Sequence, residues 1–172
     1  TGSVAAVQYP QIAREIMRHG AEVFTIMTAM AKKIIHPDLM EWATGNPVFS
    51  EMNGKIEFIS FSKGGPAKID VVLIAPCTAN TAGKLSAGIN DTTVTAVAIA
   101  AKGSGVPVII APAMHDSLLN YSITQENIGK LAKHGFEFIG PKRDEDKAKL
   151  SDIGDIVESV IRKLTRKDLK GL

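Results

Sequence analysis

The sequence predicts an α/β fold, a parallel sheet doubly wound by helices. Three observations carry that prediction. Short apolar runs that read as buried strands alternate with helical stretches: Val23 to Met27, Asp70 to Ile74 and Val106 to Ile110. Glycines at 20, 45, 88 and 103 fall where the intervening helices should end. Two of the strands run into polar corners, Ala75-Pro76-Cys77-Thr78-Ala79-Asn80-Thr81 and Ala111-Pro112-Ala113-Met114-His115. In an open parallel sheet, ligands bind beyond the carboxyl ends of the strands, so the two corners also locate the chemistry.

The elements follow in order. After Thr1-Gly2-Ser3 a helix is expected, burying Ile12, Ala13 and Ile16 and ending at Gly20. A parallel fold of this kind is expected to have a further strand feeding Thr1. Val23 to Met27 reads as a strand, Ala29 to Ile35 as a helix, and Pro37 opens a short helix ended by Gly45. Residues 46–69 are irregular, with Asn53-Gly54 and Gly64-Gly65-Pro66 as turns; Ile56 to Phe61 alternates as a short strand does. The strand at 70–75 leads into a helix from Thr78 to Ala87. Gly88 should end it, and Asn90 or Asp91 should cap the small, apolar helix that runs to about Ala101. The 106–110 strand, a helix from Thr124 to His134 and a strand at 136–139 come next. Lys142 to Lys149 reads as a charged loop. Ile153, Ile156, Val157, Val160, Ile161 and Leu164 form one stripe of a last helix. One domain over 1–165 and a linker-like tail over 166–172 are expected.

Composition excludes several classes. A formal charge of +2 gives no strong field for nucleic acid, and aromatic content of 5% gives no stacking platform. No apolar run reaches the ~18 residues of a spanning helix. The single cysteine, Cys77, forbids an internal disulfide and fits a reducing, cytoplasmic setting. No cluster has metal-ligand spacing.

The corners allow two readings each. Gly2 and Ser3 suit close backbone approach to an anion at a helix start, or an ordinary capped turn. Thr28 can cap the next helix or reach a phosphate. Pro76, Thr78, Asn80 and Thr81 bring hydroxyls, an amide and free N–H groups together, or simply cap a helix. Cys77 has no basic neighbour to activate it and reads as a small packed residue. His115 can meet a carboxylate or move a proton, or stand as a surface residue.

In this order the motifs resemble the flavin-dependent cysteine decarboxylase family, in its phosphopantothenoylcysteine-decarboxylating branch with archaeal-like features. The resemblance rests on Thr1-Gly2-Ser3-Val4-Ala5-Ala6, Thr28-Ala29, Trp42-Ala43-Thr44-Gly45-Asn46-Pro47-Val48, the 75–81 corner, Gly88-Ile89-Asn90-Asp91 and Ala111-Pro112-Ala113-Met114. It implies a Rossmann-like flavoprotein sheet and FMN held by Gly2, Ser3, Thr28, Pro76, Thr78, Asn80 and Thr81. Ala113, Met114 and His115 would face the substrate, with His115 near its carboxylate, and Lys147 or Lys149 would meet its phosphate. The implied reaction is the FMN-dependent decarboxylation of 4′-phosphopantothenoylcysteine to 4′-phosphopantetheine in coenzyme A synthesis. Implied partners are further copies, as trimers or multiples of trimers with flavin at their boundaries, and a fused or separate phosphopantothenate–cysteine ligase domain.

Two positions depart from the family pattern. Phe58 stands at the catalytic histidine's place in Lys55-Ile56-Glu57-Phe58-Ile59, and phenylalanine cannot transfer a proton. Such groups contribute ~10²–10⁴-fold in rate, so impaired activity is expected. The charged 141–149 stretch lacks the cysteine many members carry on a substrate flap. Two alternatives therefore stand beside the decarboxylase: an electron-transfer flavoprotein of the same fold, and a non-catalytic FMN-binding subunit.

Overall fold

The computed structural model describes all residues except Lys68, Pro141, Glu145, Asp146 and 169–172; the side chains of 142–144, 147, 148 and 166–168 also lie outside the description. A 3-10 turn, Val4–Gln8, opens the chain and runs into α1, Tyr9–Arg18. Pro10 sits in the first turn of α1, where its missing N–H costs nothing, and Ile12, Ala13 and Ile16 fall on one stripe and are buried. Then come α2 (Ala29–Lys32), α3 (Pro37–Thr44), a 3-10 turn at Glu57–Phe61, β1 (Val72–Cys77) and α4 (Ala79–Ala87). The rest is α5 (Thr93–Gly103), β2 (Val108–Pro112), α6 (Asp116–Leu119), α7 (Ser122–Lys133), β3 (Glu137–Phe138), β4 (Lys142–Asp144), β5 (Lys147–Lys149) and α8 (Ile153–Asp168).

The strands β1, β2 and β3 form a parallel sheet in that order, with Val72 opposite Val108 and Ile109 opposite Glu137. Both faces are covered, which is why β1 and β2 are almost wholly apolar rather than alternating. On one face Ala75, Ile109 and Ala111 pack with Ile12 and Ile16 of α1, Met40 of α3 and Ile156 and Val160 of α8. On the other Ile74, Val108 and Ile110 pack with Leu85 of α4, Val94 and Ala98 of α5 and Leu131 of α7. The doubly wound class is therefore as expected. Full burial of a side chain such as Ile12 or Ile156 contributes roughly 1.5–3 kcal/mol.

Val23 to Met27 is extended, and its residues alternate between buried and half-buried. Its pairing among the described residues is a single parallel bridge, Ile26 with Phe49, closed by Phe49 N–H to Thr25 O (2.9 Å) and Met27 N–H to Phe49 O (3.0 Å). No backbone hydrogen bond joins it to β1 among the described residues, and β1 is the outer strand of the sheet. Between the two lies a cavity of about 730 Å³, lined by Ile16, Val160 and Ile161 on one side and Val94 and Val97 on the other. Thr25 lines it too, with its hydroxyl buried and unpartnered. The backbone of both segments lines it, from Glu22 to Met27 and from Ile69 to Pro76, so it is a gap within the sheet layer. No described residue forms the further strand expected to lead into Thr1.

Four expectations need correction. Ile56 to Phe61 is no strand: Ile56 is left-handed (φ 58°) and 57–61 forms a 3-10 turn that packs on α5. A Cβ on Gly65 would lie 2.6 Å from the carbonyl oxygens of Ile59 and Ser60, so the glycine lets the chain fold back on this turn. Lys142–Asp144 and Lys147–Lys149 form an antiparallel pair where a loop was expected. α5 is capped by Thr92, in a reciprocal box with Thr95, and not by Asn90 or Asp91; Asp91 instead holds Lys84 Nζ at 2.7 Å. The last helix runs through Asp168, so Arg166, Lys167 and Asp168 are helical, and the rest of the expected tail lies outside the described residues.

Candidate functional site

Five loops meet at the carboxyl edge of the sheet, and specific hydrogen bonds draw them together. Thr1 Oγ1 donates to Pro76 O at 2.7 Å and accepts from Thr78 N–H at 3.2 Å, which joins the opening turn to the corner after β1. Gly2 lies against the turn at 28–30: a Cβ there would come within 2.6 Å of Met30 Cβ, so only glycine allows the approach. Thr93 Oγ1, at the start of α5, donates to Met27 O at 2.7 Å. Ala113 N–H donates to Cys77 O at 3.0 Å and ties the corner after β2 to the corner after β1.

Besides the Thr92 cap of α5, three helical starts at this edge are capped by hydroxyl side chains. Ser3 Oγ accepts from Ala5 N–H (3.4 Å), Thr28 Oγ1 from Ala31 N–H (3.2 Å) and Thr78 Oγ1 from Thr81 N–H (3.3 Å). Each cap takes one of the first-turn amides. The others have no intrahelical acceptor, and together with the helix dipoles they favour an anion. Asn80 is exposed in the first turn of α4.

The remaining expected residues divide. Thr81 is only 4% exposed, and its hydroxyl lies 3.1 Å from that of Thr78, so it acts on the edge through Thr78. Pro76 is fully buried, follows a cis peptide bond and offers its carbonyl to Thr1. Cys77 is fully buried, and burial pushes its thiol up to about 12, so it is inert at neutral pH.

Beyond β2, Ala113 is buried, Met114 is half-buried and His115 is exposed. His115 caps α6 with its ring: Nδ1 accepts from Ser117 N–H (3.2 Å) and lies 2.8 Å from Ser117 Oγ. Sequence reasoning missed α6 and Ser117, because four residues show no helical periodicity. It missed Thr92 and Thr93 as well, although Thr-Thr ahead of an apolar run is a capping signal. Lys149 is exposed at the end of β5, which packs near α6; the Lys147 side chain lies outside the described residues. Phe58 is half-buried in the 3-10 turn beside α5. Among the described residues no group of three or more His, Cys, Asp or Glu could hold a metal ion, and no helix is long and apolar enough to cross a membrane.

The chain is 50% identical over 170 residues to a coenzyme A biosynthesis bifunctional protein CoaBC of Thermococcus kodakarensis, covering 99% of this chain and 42% of that protein. It is 32% identical over 175 residues to a probable phosphopantothenoylcysteine decarboxylase of Streptococcus mutans, covering 95% of each. The chain thus spans about two fifths of the length of the bifunctional relatives it matches. Among solved structures it is similar to the FMN-dependent cysteine decarboxylase SpaF, with a TM-score of 0.78, 27% identity, and 95% of this chain and 93% of that one covered. The model of the Flavoprotein family matches residues 1–165, and the chain belongs to that family.

Proposed function

We propose that this chain binds FMN at the carboxyl edge of its sheet and decarboxylates 4′-phosphopantothenoylcysteine to 4′-phosphopantetheine in coenzyme A synthesis. The observation that carries the reading is the meeting of three hydroxyl-capped helix starts around Gly2, which approaches Met30 too closely for any side chain. That donor set fits a phosphate-bearing flavin: free amides for the anion, and short hydroxyl and amide side chains for polar ring edges. Flavin, when bound, supplies reversible hydride chemistry, so that the substrate's cysteine moiety can be oxidised, lose carbon dioxide and be reduced again.

The chain's own residues hold and orient. Gly2, Ser3, Thr28, Thr78 and Asn80 hold FMN, while Pro76 and Thr81 set the corner on which Thr78 and Asn80 stand. Met114 walls the substrate and His115 meets its carboxylate, with Ala113 buried behind them. Lys149, with Lys147, takes the substrate phosphate. Phe58 leaves one proton transfer without a side-chain donor, so turnover is slow. The names of the similar proteins and the Flavoprotein family membership support the reading. Val4, Val7 and Met30, exposed and apolar beside Gly2, support an assembly of further copies around the site, a trimer or a multiple of trimers. The bifunctional relatives support a ligase domain fused to this one in the full protein and a cytoplasmic setting.

The test is direct. The protein should bind FMN at micromolar concentration, and Phe58→His should raise carbon dioxide release from phosphopantothenoylcysteine by about 10²-fold or more. Flavin binding without carbon dioxide release, before and after that substitution, would favour the electron-transfer reading that Phe58 itself suggests. Failure to bind FMN at all would refute both.

A further inference from the structure

The ring of His115 is held in a way that limits what it can do. A backbone N–H can only donate. The Ser117 N–H points at His115 Nδ1 at 3.2 Å, so Nδ1 must present its lone pair there. The Ser117 hydroxyl, 2.8 Å from the same nitrogen, can donate to it as well. The proton of the neutral ring therefore sits on Nε2, the nitrogen turned away from α6.

We propose that Ser117 is a positioning residue that fixes His115 as the Nε2–H tautomer, and that His115 is thereby a hydrogen-bond donor to a carboxylate on the substrate and not a base acting through Nε2. This rests on the proposed function for its ligand, but the state of the ring does not. In the held tautomer Nε2 has no lone pair with which to take a proton. Nδ1 has one, and it is occupied by the helix start. A carboxylate, which only accepts, is the complement of the group left free.

His36 provides an internal contrast. Its Nδ1 also accepts from a backbone amide, Asp38 N–H at 3.3 Å, but the second neighbour is the Asp38 carboxylate, also at 3.3 Å, where His115 has a hydroxyl. A carboxylate there favours a proton on Nδ1 and opposes the amide; a hydroxyl can reinforce the amide. The two caps look alike in backbone terms and differ in which tautomer the side-chain neighbour supports.

The experiment is nitrogen NMR of the FMN-loaded protein carrying ¹⁵N-histidine, recorded where the rings are neutral. Affinities for phosphopantothenoylcysteine and for phosphopantetheine, which lacks the carboxylate, are measured alongside. Wild-type His115 should show a protonated Nε2 and an unprotonated Nδ1. Ser117→Pro removes both donors at a first-turn position that tolerates proline, and Ser117→Ala removes the hydroxyl alone. Ser117→Pro should shift the His115 signals toward mixed tautomers and leave those of His36 unmoved; Ser117→Ala, which keeps the amide, should shift them less, and Ser117→Thr should keep the wild-type pattern. Affinity for phosphopantothenoylcysteine should fall about tenfold in Ser117→Pro, and affinity for phosphopantetheine should hold. A wild-type His115 protonated on Nδ1, or Ser117 variants that leave the tautomer unchanged, would overturn the positioning role. An equal loss for both ligands, or none for either, would overturn the carboxylate assignment. If wild type binds neither ligand, the proposed function and the carboxylate assignment fall together, and the nitrogen signals still decide the role of Ser117.

Discussion

The corner after β1 and the corner after β2 stand side by side, joined by the bond from Ala113 N–H to Cys77 O, and they use their polar groups in opposite ways. The first turns them inward: Thr1 bonds Pro76 O and Thr78 N–H, Thr81 lies against Thr78, and Cys77 is sealed in the core. The second turns the His115 and Ser117 side chains outward, where they bond to each other. A frame of mutually satisfied groups suits a resident cofactor, which needs preorganised amides. A lightly tethered side chain suits a substrate that comes and goes. Substitutions in the first corner should therefore change folding and flavin affinity, and those in the second should change substrate affinity alone.

The largest effect expected is on stability at alkaline pH. The Cys77 thiol is raised to about 12 in the folded chain from an ordinary value near 9, and Tyr9 is raised to about 12 from 10, both by burial. A raised pKa means that the unfolded chain loses these protons first. The stabilisation is whole below about pH 9 and is lost as pH rises toward 12, at about 1.4 kcal/mol per pH unit for each group within its window. Denaturant titrations at pH 8, 10 and 11 should show this decline. Cys77→Ala should flatten its first part, between pH 9 and 10, where Tyr9 does not yet contribute. An unchanged slope in that variant would mean that Cys77 is not sealed, and the contrast between the corners would lose its inward half.

Next is Gly2→Ala. A methyl group 2.6 Å from Met30 Cβ forces the opening turn and the 28–30 turn apart, at a cost of about 1–3 kcal/mol. FMN affinity should fall about tenfold or more, measured by flavin fluorescence. Thr78→Ala should do less. It removes the cap of α4 and the partner of Thr81, costing about 1 kcal/mol, and it should weaken FMN binding without raising KM for the substrate. A rise in KM alone would place Thr78 on the substrate side and erase the division.

Much of this arrangement was legible in the chain. The α8 stripe, the Thr78 cap and the glycine-ended α3 and α4 follow from local pattern, because period and capping chemistry act over a few residues. The turn at 57–61 was not legible. Ile56 to Phe61 alternates as a strand does, and what decides against one is Gly65, which lets the chain double back on Ile59 and Ser60. The pairing of Lys142–Asp144 with Lys147–Lys149 escaped because its charges read as a loop, while backbone pairing is indifferent to side-chain charge. The site was legible at the corners, where residue type carries the chemistry. Contacts between distant segments were not, such as Thr1 with Pro76 or Thr93 with Met27, because no local rule predicts which carbonyl a hydroxyl will meet.

The smallest effect expected is that of His115→Asn, and it tests the outward corner most sharply. Asparagine caps a helix start well and has an amide that donates, so α6 should persist and stability should change by less than about 1 kcal/mol. FMN affinity should not move, because none of the bonds that hold the first corner passes through His115. KM for phosphopantothenoylcysteine should rise only a few-fold, since a donor is retained but displaced. Turnover of bound substrate should hold. A steep loss of turnover at saturating substrate would mean that His115 moves a proton during the reaction. The corner after β2 would then share in the chemistry that the inward corner and its cofactor are here expected to carry without it.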